Sequence, residues 1–353
     1  MAALAAIHRP EPATQAGARS TIHVGMIGYG YWGTNILRNL RSLPGACVDV
    51  LCDINPESLQ RAGRTYPGLR LTKDSAEILG ASEIDAVAII TPVWTHFELA
   101  KAALRNGKHV FVEKPLTTNS HQAEQLIEMA DRRGLTLMVD HTFLFTGAVR
   151  KIRQLIHSGT LGAIYYYDSM RINLGMFQHD VNVVWDLATH DLSIMDYLVR
   201  YKPEAVSATG QSHVGELEDV AFITIYFPNK MIAHINVNWL SPVKVRSTLI
   251  GGERKMVVWN DLDADEKIKV YDKGVSVCKR QQVYELLLSY RSGDIWVPHI
   301  SGVEALQNEL DYFLDCVAHN KKPLNDGQAG LRVVKLLEAA SRSLTKGGEL
   351  IYL

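Results

Sequence analysis

Apolar positions along this chain follow two successive rhythms. From Thr21, runs apolar on both faces recur at Ile22–Ile27, Val48–Cys52, Ala86–Ile90, His109–Val112 and Thr136–Val139, with a short one near Leu69–Leu71. Such runs suit strands covered on both sides. Between them the spacing turns helical, at Trp32, Ile36, Leu37 and Leu40, at Phe97, Ala100, Ala103 and Leu104, and at Ala123, Leu126, Ile127 and Ala130. Ser120, just before the last of these, reads as its N-cap. Six strands alternating with helices predict a doubly wound parallel sheet over residues 21–142, because parallel strands need crossovers.

The rhythm changes after Thr142. A helix over Gly147–His157 leads through a turn at Ser158–Gly162 to a strand at Ile164–Arg171, and a helix follows near Val184–Val199. Strands then come in succession, at Ala205–Ser212, Val220–Phe227, Met231–Trp239, Val245–Gly251, Lys255–Trp259 and Ile268–Tyr271. Short polar turns such as Pro228-Asn229 separate them, which predicts an open, mostly antiparallel sheet. Helices near Val303–Ala318 and Gln328–Leu344 close an α+β domain spanning residues 143–353, and the last is free to pack back on the first domain. The whole reads as an α/β Rossmann domain followed by an α+β domain, with open edges that favour a homo-oligomer.

Composition narrows the function. With 353 residues the chain is long enough for two domains. Its 37 basic and 38 acidic residues nearly cancel, so no positive field is available for nucleic acid or an anionic membrane. No run approaches the roughly 20 apolar residues that span a bilayer. Residues 1–20 mix Ala, Pro, Glu and Arg and read as a disordered leader rather than a secretory signal. Cys47, Cys52, Cys278 and Cys316 show no CxxC pairing, which predicts thiols without a metal in a reducing, cytoplasmic compartment.

The first strand runs into Gly28-Tyr29-Gly30-Tyr31-Trp32-Gly33, a GxGxxG sequence at a helix start. The first glycine permits the tight turn, the second lets backbone approach a pyrophosphate, and the third allows helix and strand to pack closely. Free N–H groups of the helix N-terminus complete a phosphate site. Asp53 ends the second strand where a dinucleotide fold places its ribose-binding carboxylate. A carboxylate there would repel the extra phosphate of NADP, so NAD is the expected cofactor. Thr91-Pro92 end the next strand in the crevice where open α/β sheets bind ligands, and Thr91 and its backbone are candidate cofactor contacts. His96, five residues past Thr91, is either another contact or a helix-start residue without a ligand.

Two further signals carry chemistry. Glu113-Lys114-Pro115 ends a strand at the same crevice, where Lys114 is placed to position a substrate hydroxyl. An ordinary surface Lys–Glu pair is the other reading of that triplet. Asp186 and His190 stand four apart within an apolar helix and so share a face. A histidine beside a carboxylate has a charge state tunable near neutral pH, which suits a general base. A buried histidine satisfied by the aspartate is the plainer alternative.

These motifs, in this order, resemble the glucose–fructose oxidoreductase, inositol dehydrogenase and rhizopine-catabolism (Gfo/Idh/MocA) family over nearly the whole chain from Thr21. The resemblance implies that Lys114 lies by the nicotinamide and reacting hydroxyl, with Asp186 and His190 beside it. It also implies that Tyr29, Tyr31, Trp32 and Glu113 belong to the cofactor site, and that the second sheet mediates dimers or tetramers. A narrower likeness, in the segments at Arg171–Gln178 and Asn238–Arg246, is to members acting on sugars or nucleotide sugars. It makes Arg171, Asn173, Gln178 and His179 candidate substrate contacts. The chain departs from many relatives at Thr146-Gly147 and at Val303-Glu304-Ala305-Leu306, away from the proposed chemistry. The expected reaction is hydride transfer between NAD and a secondary alcohol or ketone of a sugar, at ring C3 by family likeness. A cyclitol dehydrogenase, an NAD-dependent glycosidase and a non-catalytic sugar sensor are the competing readings.

Overall fold

A computed structural model describes residues 21–175, 177–178, 180–278 and 287–353. The leader expected over residues 1–20 and the candidate His179 lie outside them.

The first unit runs β1 (Ile22–Ile27), α1 (Tyr31–Ser42), β2 (Ala46–Cys52), α2 (Pro56–Thr65), β3 (Arg70–Thr72), α3 (Ala76–Leu79), β4 (Ala86–Ile89), α4 (Val93–Arg105), β5 (His109–Val112), α5 (Ser120–Arg133) and β6 (Leu137–Val139). Its six strands are parallel, in the order β3-β2-β1-β4-β5-β6. That order reverses direction between β1 and β4, which opens a crevice at the carboxyl ends of the strands. The strands are buried because helices cover both faces. β4, for example, is buried at all four positions. The cap of α5 is Asn119 rather than Ser120, its side chain accepting from the Gln122 N–H.

The second unit begins with a short 3₁₀ turn (Thr142–Phe145), α6 (Gly147–His157) and β7 (Ile164–Leu174), followed by a π-helical turn (Val184–Ala188) that leads into α7 (Thr189–Leu198). Then come β8 (Ala205–Gln211), β9 (Val220–Tyr226), β10 (Ile232–Asn238), β11 (Leu240–Gly252), β12 (Met256–Asn260), β13 (Ile268–Cys278), β14 (Leu287–Trp296), α8 (Ala305–His319), α9 (Gly327–Thr345) and β15 (Ile351–Tyr352). Among the described residues they build a nine-stranded sheet in the order β14-β13-β12-β11-β7-β10-β9-β8-β15, in which the β7–β10 pairing alone is parallel. β14 and β15 carry no pattern the sequence reading picked out. They are edge strands, partly exposed, so period-two burial leaves little mark on them.

One face of this sheet packs on the helices through residues such as Tyr167, Ile225, Ala233 and Ile250. The opposite face leaves Met170, Phe222, Tyr226, Ile232 and Leu249 exposed. The two units are joined by more than the linker. Phe313 of α8 packs on Phe111 of β5, and α9 reaches α5 through Lys335–Glu124 and a Glu338 carboxylate that accepts from the Ser120 N–H. Among the described residues no helix is long and apolar enough to cross a membrane.

Candidate active site

The glycine turn shows three separate requirements. Gly28 has φ +102°, and a Cβ there would stand 2.1 Å from the Ile90 carbonyl oxygen, so only glycine fits. Gly33 is pressed from the other side, its Cβ position 2.6 Å from the Gly28 oxygen. Around Gly30 there is open space, with nothing within 4 Å of where a Cβ would be. The first turn of α1 has no side-chain cap, so its N–H groups point free into that space. This is the cradle a pyrophosphate needs, and the residues present fit it. Asp53 lies against the same turn. One carboxylate oxygen accepts from the Tyr29 N–H at 2.6 Å and the other from Asn55 at 2.7 Å. Tyr29 itself turns its ring into the core beneath Arg61, so its backbone alone is at the turn. Tyr31 is exposed and Trp32 donates its indole N–H to Asp140 at 2.9 Å.

Next to the turn is a cavity of about 860 Å³. Lys114 enters it from the end of β5, and Asp186 and His190 enter from the π turn and α7. The Lys114 ammonium donates to the Asp186 carboxylate at 3.2 Å and to the Asp186 backbone carbonyl at 2.9 Å. The second Asp186 oxygen accepts from the Trp239 indole at 3.2 Å. The sequence reading paired Asp186 with His190, and the structure corrects this. The backbone is wound as a π-helix over Val184–Ala188, and the carboxylate is taken by Lys114 and Trp239. A half-buried carboxylate is stabilised more by a full positive charge than by a neutral ring. π turns inside helices are frequent at functional sites.

His190 instead rests edge-on against Phe143, ring centroids 5.0 Å apart, and its Nδ1 is buried without a partner. Burial, aided by the charges of Lys114, Arg171 and Arg246, holds its pKa well below the usual histidine range. The ring is therefore neutral near pH 7 and able to accept a proton.

Behind Lys114 lie two buried carboxyl groups, Asp140 and Glu309, and the half-buried Glu113. Glu113 accepts from the Lys114 N–H at 2.8 Å, Asp140 accepts from the Trp32 indole at 2.9 Å, and Glu309 accepts from the His141 N–H at 2.9 Å. Burial, then the charge of Asp140, pushes the pKa of both Glu113 and Glu309 well above the usual range. Glu113 faces the backbone beneath the cavity, accepting from the Lys114 N–H, rather than forming a surface pair with the Lys114 ammonium.

Two further candidates are corrected. His96 is fully buried, with Nδ1 at 2.9 Å from the Pro115 carbonyl oxygen and Nε2 at 2.8 Å from that of Thr91. Held between these two carbonyls, to one of which its single N–H donates, the buried ring braces the loops that carry Thr91 and Lys114 and is not among the residues lining the cavity. Arg171 is also buried, its guanidinium 2.6 Å from Asp191 and stacked 4.5 Å from the Phe143 ring centre. It faces the core because β7 alternates and Arg171 falls on the helix-covered side. Asn173 and Gln178 do line the cavity. Thr91 sits at the end of β4, its hydroxyl 2.6 Å from that of Thr95, and Pro92 caps α4.

The cavity also holds residues the sequence reading did not single out. Asp140 and Thr142 follow β6 and share the strand-end signal that found Lys114. Phe143 follows in the same 3₁₀ turn, Trp239 and Arg246 come from the segment that carries the likeness to sugar-acting members, which assigns them no contact, and Asp261 arrives through the pairing of β12 with β11. Arg246 sits 3.5 Å from Asp261 and is partly open to the cavity.

Comparison with known proteins gives a consistent picture. Residues 22–141 match the model described as an oxidoreductase family with an NAD-binding Rossmann fold, and residues 149–258 match the GFO/IDH/MocA C-terminal domain. A UDP-N-acetylglucosamine 3-dehydrogenase of Acidithiobacillus ferrooxidans is 28% identical over 326 residues, covering 89% of this chain and 94% of that protein. A scyllo-inositol 2-dehydrogenase (NAD(+)) of Bacillus subtilis is 26% identical, covering 86% and 88%. A solved structure of the Acidithiobacillus ferrooxidans enzyme superposes with a TM-score of 0.77 at 24% identity, over 92% of this chain and 98% of that one.

Proposed function

The chain belongs to the Gfo/Idh/MocA family of oxidoreductases, and from that premise we propose that it oxidises a secondary alcohol of a sugar or nucleotide sugar, at ring C3, with NAD as acceptor. The observation that carries this reading is the convergence of Lys114, Asp186 and His190 on one cavity beside the open space at Gly30. Relatives named as dehydrogenases of a UDP-sugar and of an inositol support action on a CH–OH group. The likeness to a UDP-N-acetylglucosamine 3-dehydrogenase supports the sugar class and the C3 position.

In this reading the N–H groups of Gly30–Gly33 would hold the pyrophosphate of NAD, and Asp53 would take the ribose hydroxyls. Bound there, the nicotinamide supplies the hydride acceptor. The chain does the proton work. His190, neutral because it is buried among positive charges, accepts the hydroxyl proton. Lys114 holds the oxygen as it becomes an alkoxide, and Asp186 keeps the ammonium aimed and balances its charge. Asn173 and Gln178 contact the sugar. The exposed apolar face of the nine-stranded sheet supports a homodimer or homotetramer in which a second copy covers it. Cys47, Cys52 and Cys316 are free thiols, which supports a reducing, cytoplasmic setting.

The test is a panel of sugars, UDP-sugars and inositols followed at the NADH absorbance band, run with NAD and with NADP. Reduction of NAD by a sugar or UDP-sugar is the expected result. Oxidation of inositols alone moves the assignment to a cyclitol dehydrogenase, which the scyllo-inositol relative keeps in view. Glycosidic cleavage without net NADH would replace the dehydrogenase reading by a glycosidase.

A further inference from the structure

A second cavity, of about 430 Å³, lies along α7 one turn beyond His190. Its inner wall is His141 and Ser193, both almost fully buried, and its outer rim carries the exposed side chains of His157, Arg200 and Arg332. His141 follows β6, on the far side of Asp140 and Thr142 from the catalytic cavity. Among the described residues neither of its buried ring nitrogens has a partner, and neither does Nδ1 of His190. Phe143, two residues past His141, packs edge-on against the His190 ring with centroids 5.0 Å apart, so the chain that carries His141 runs directly beside His190. Buried imidazole nitrogens without partners are rare, since each such donor or acceptor costs about 1–3 kcal/mol. Here three of them stand between a reaction cavity and a cavity that opens to solvent.

We propose that His141 and the second cavity form the exit path for the proton that His190 takes from the substrate. The inference rests on the hydride-transfer reading above. With cofactor and sugar in place the front of the catalytic cavity is covered by the reactants, so the proton needs another way out. The step balances as an ordinary alcohol oxidation. The O–H bond breaks, its proton goes to Nε2 of His190, and the C–H electron pair leaves to the pyridine nucleotide. A proton then leaves Nδ1 of His190 for His141, directly or through a water molecule, and passes from His141 to water in the second cavity. An imidazole suits this transfer because it takes a proton on one nitrogen and releases one from the other. Ser193 steadies the path by donating its hydroxyl to the His190 carbonyl at 2.8 Å. The charges facing His141 are Asp140 from the end of β6, Lys114 from β5 and Arg332 from α9, and Glu309 of α8 accepts its backbone N–H. The two cations keep the ring from holding the proton it receives.

The experiment is a single turnover in a stopped-flow instrument, with the full-length enzyme and NAD mixed against whichever sugar of the panel reduces NAD. NADH absorbance reports hydride transfer and phenol red in weak buffer reports the proton reaching bulk water. In the native enzyme the two signals rise together. In His141→Gln proton release should fall behind NADH formation by about tenfold or more, and added imidazole should close the gap. Proton release in step with NADH in His141→Gln would overturn the relay and leave the dehydrogenase reading intact. Failure of every sugar to reduce NAD would remove the reading beneath both. If His141→Gln does not fold, a proton inventory on the native enzyme decides the matter. A bowed dependence on deuterium fraction supports a relay of several protons, and a straight line contradicts it.

Discussion

The glycine turn and the catalytic cluster are both parts of the site, but they are built in different ways. The turn is local. Gly28, Gly30, Gly33 and Asp53 lie within one strand–helix–strand unit, and each is set by backbone demands of its immediate neighbours. The cluster is assembled from afar. Lys114 and Asp186 are 72 residues apart, and Asp186 and Trp239 are 53 apart. A local device can be read from spacing, whereas an assembled one depends on which side chains win the contest for a shared partner. Asp186 shows this: four residues from His190 in sequence, it is bonded to Lys114 and Trp239 instead.

The comparison can be broken most sharply at the cluster. Lys114→Ala should lower kcat by about 10²–10⁴-fold, the usual worth of a positioned proton-handling group, while NADH affinity stays within about threefold. Steady-state kinetics beside calorimetric titration of NADH checks this, and unchanged kcat would remove Lys114 from the mechanism. Next in size is Arg171. Because it is buried and paired with Asp191, Arg171→Met should destabilise the fold by roughly 3–5 kcal/mol, the typical cost of stranding a buried charge. Urea unfolding measures it. A pure rise in KM with stability unchanged would instead return Arg171 to the substrate site.

At the turn, the effect should fall on the cofactor and spare the fold. Gly30 has φ −74° and open space around it, so Gly30→Ala meets neither strain nor clash in the free protein. Its melting temperature should hold, and NADH should bind about tenfold more weakly or worse, as the added methyl intrudes on the pyrophosphate. Equal affinity would mean that the phosphates lie elsewhere.

A further effect expected is a slope of stability with pH. Burial holds His141 at about 4, below its ordinary value of 6.5. A histidine whose pKa is lower folded than unfolded contributes stability above the unfolded value and loses it as the pH falls toward the folded one. Between pH 7.5 and 5, native protein should lose about 2 kcal/mol more than His141→Gln, from about 1.5 units at 1.36 kcal/mol each. Parallel unfolding curves for the two proteins at both pH values would show that His141 titrates normally.

The fold was legible because its signals are regular. Strands buried on both faces alternate with helices through β6, and polar turns separate the strands that follow. The glycine turn, Asp53 and Lys114 were legible because strand ends and close backbone approach leave marks on residue type. The rest was hidden for physical reasons. Spacing of four implies one face in an α-helix, but a π turn changes the phase at Val184–Ala188. Arg171 has the chemistry of a ligand contact, yet strand alternation points it inward, where Asp191 neutralises it. His96 sits in a motif near the crevice, but two backbone carbonyls claim its ring. Trp239 and Arg246 reach the cavity only through the pairing of β7, β10 and β11, which no local window contains. Glu309 belongs to a carboxyl cluster closed by α8, nearly 170 residues after β6 on the measured separation of 168 from His141.

A crystal structure of the enzyme with NADH tests the central claim most directly. The pyrophosphate should lie against the backbone N–H groups of Gly30–Gly33, and the nicotinamide should sit in the cavity between Lys114 and His190. A nicotinamide bound away from those two side chains, or a protein that takes up no pyridine nucleotide at all, would contradict it.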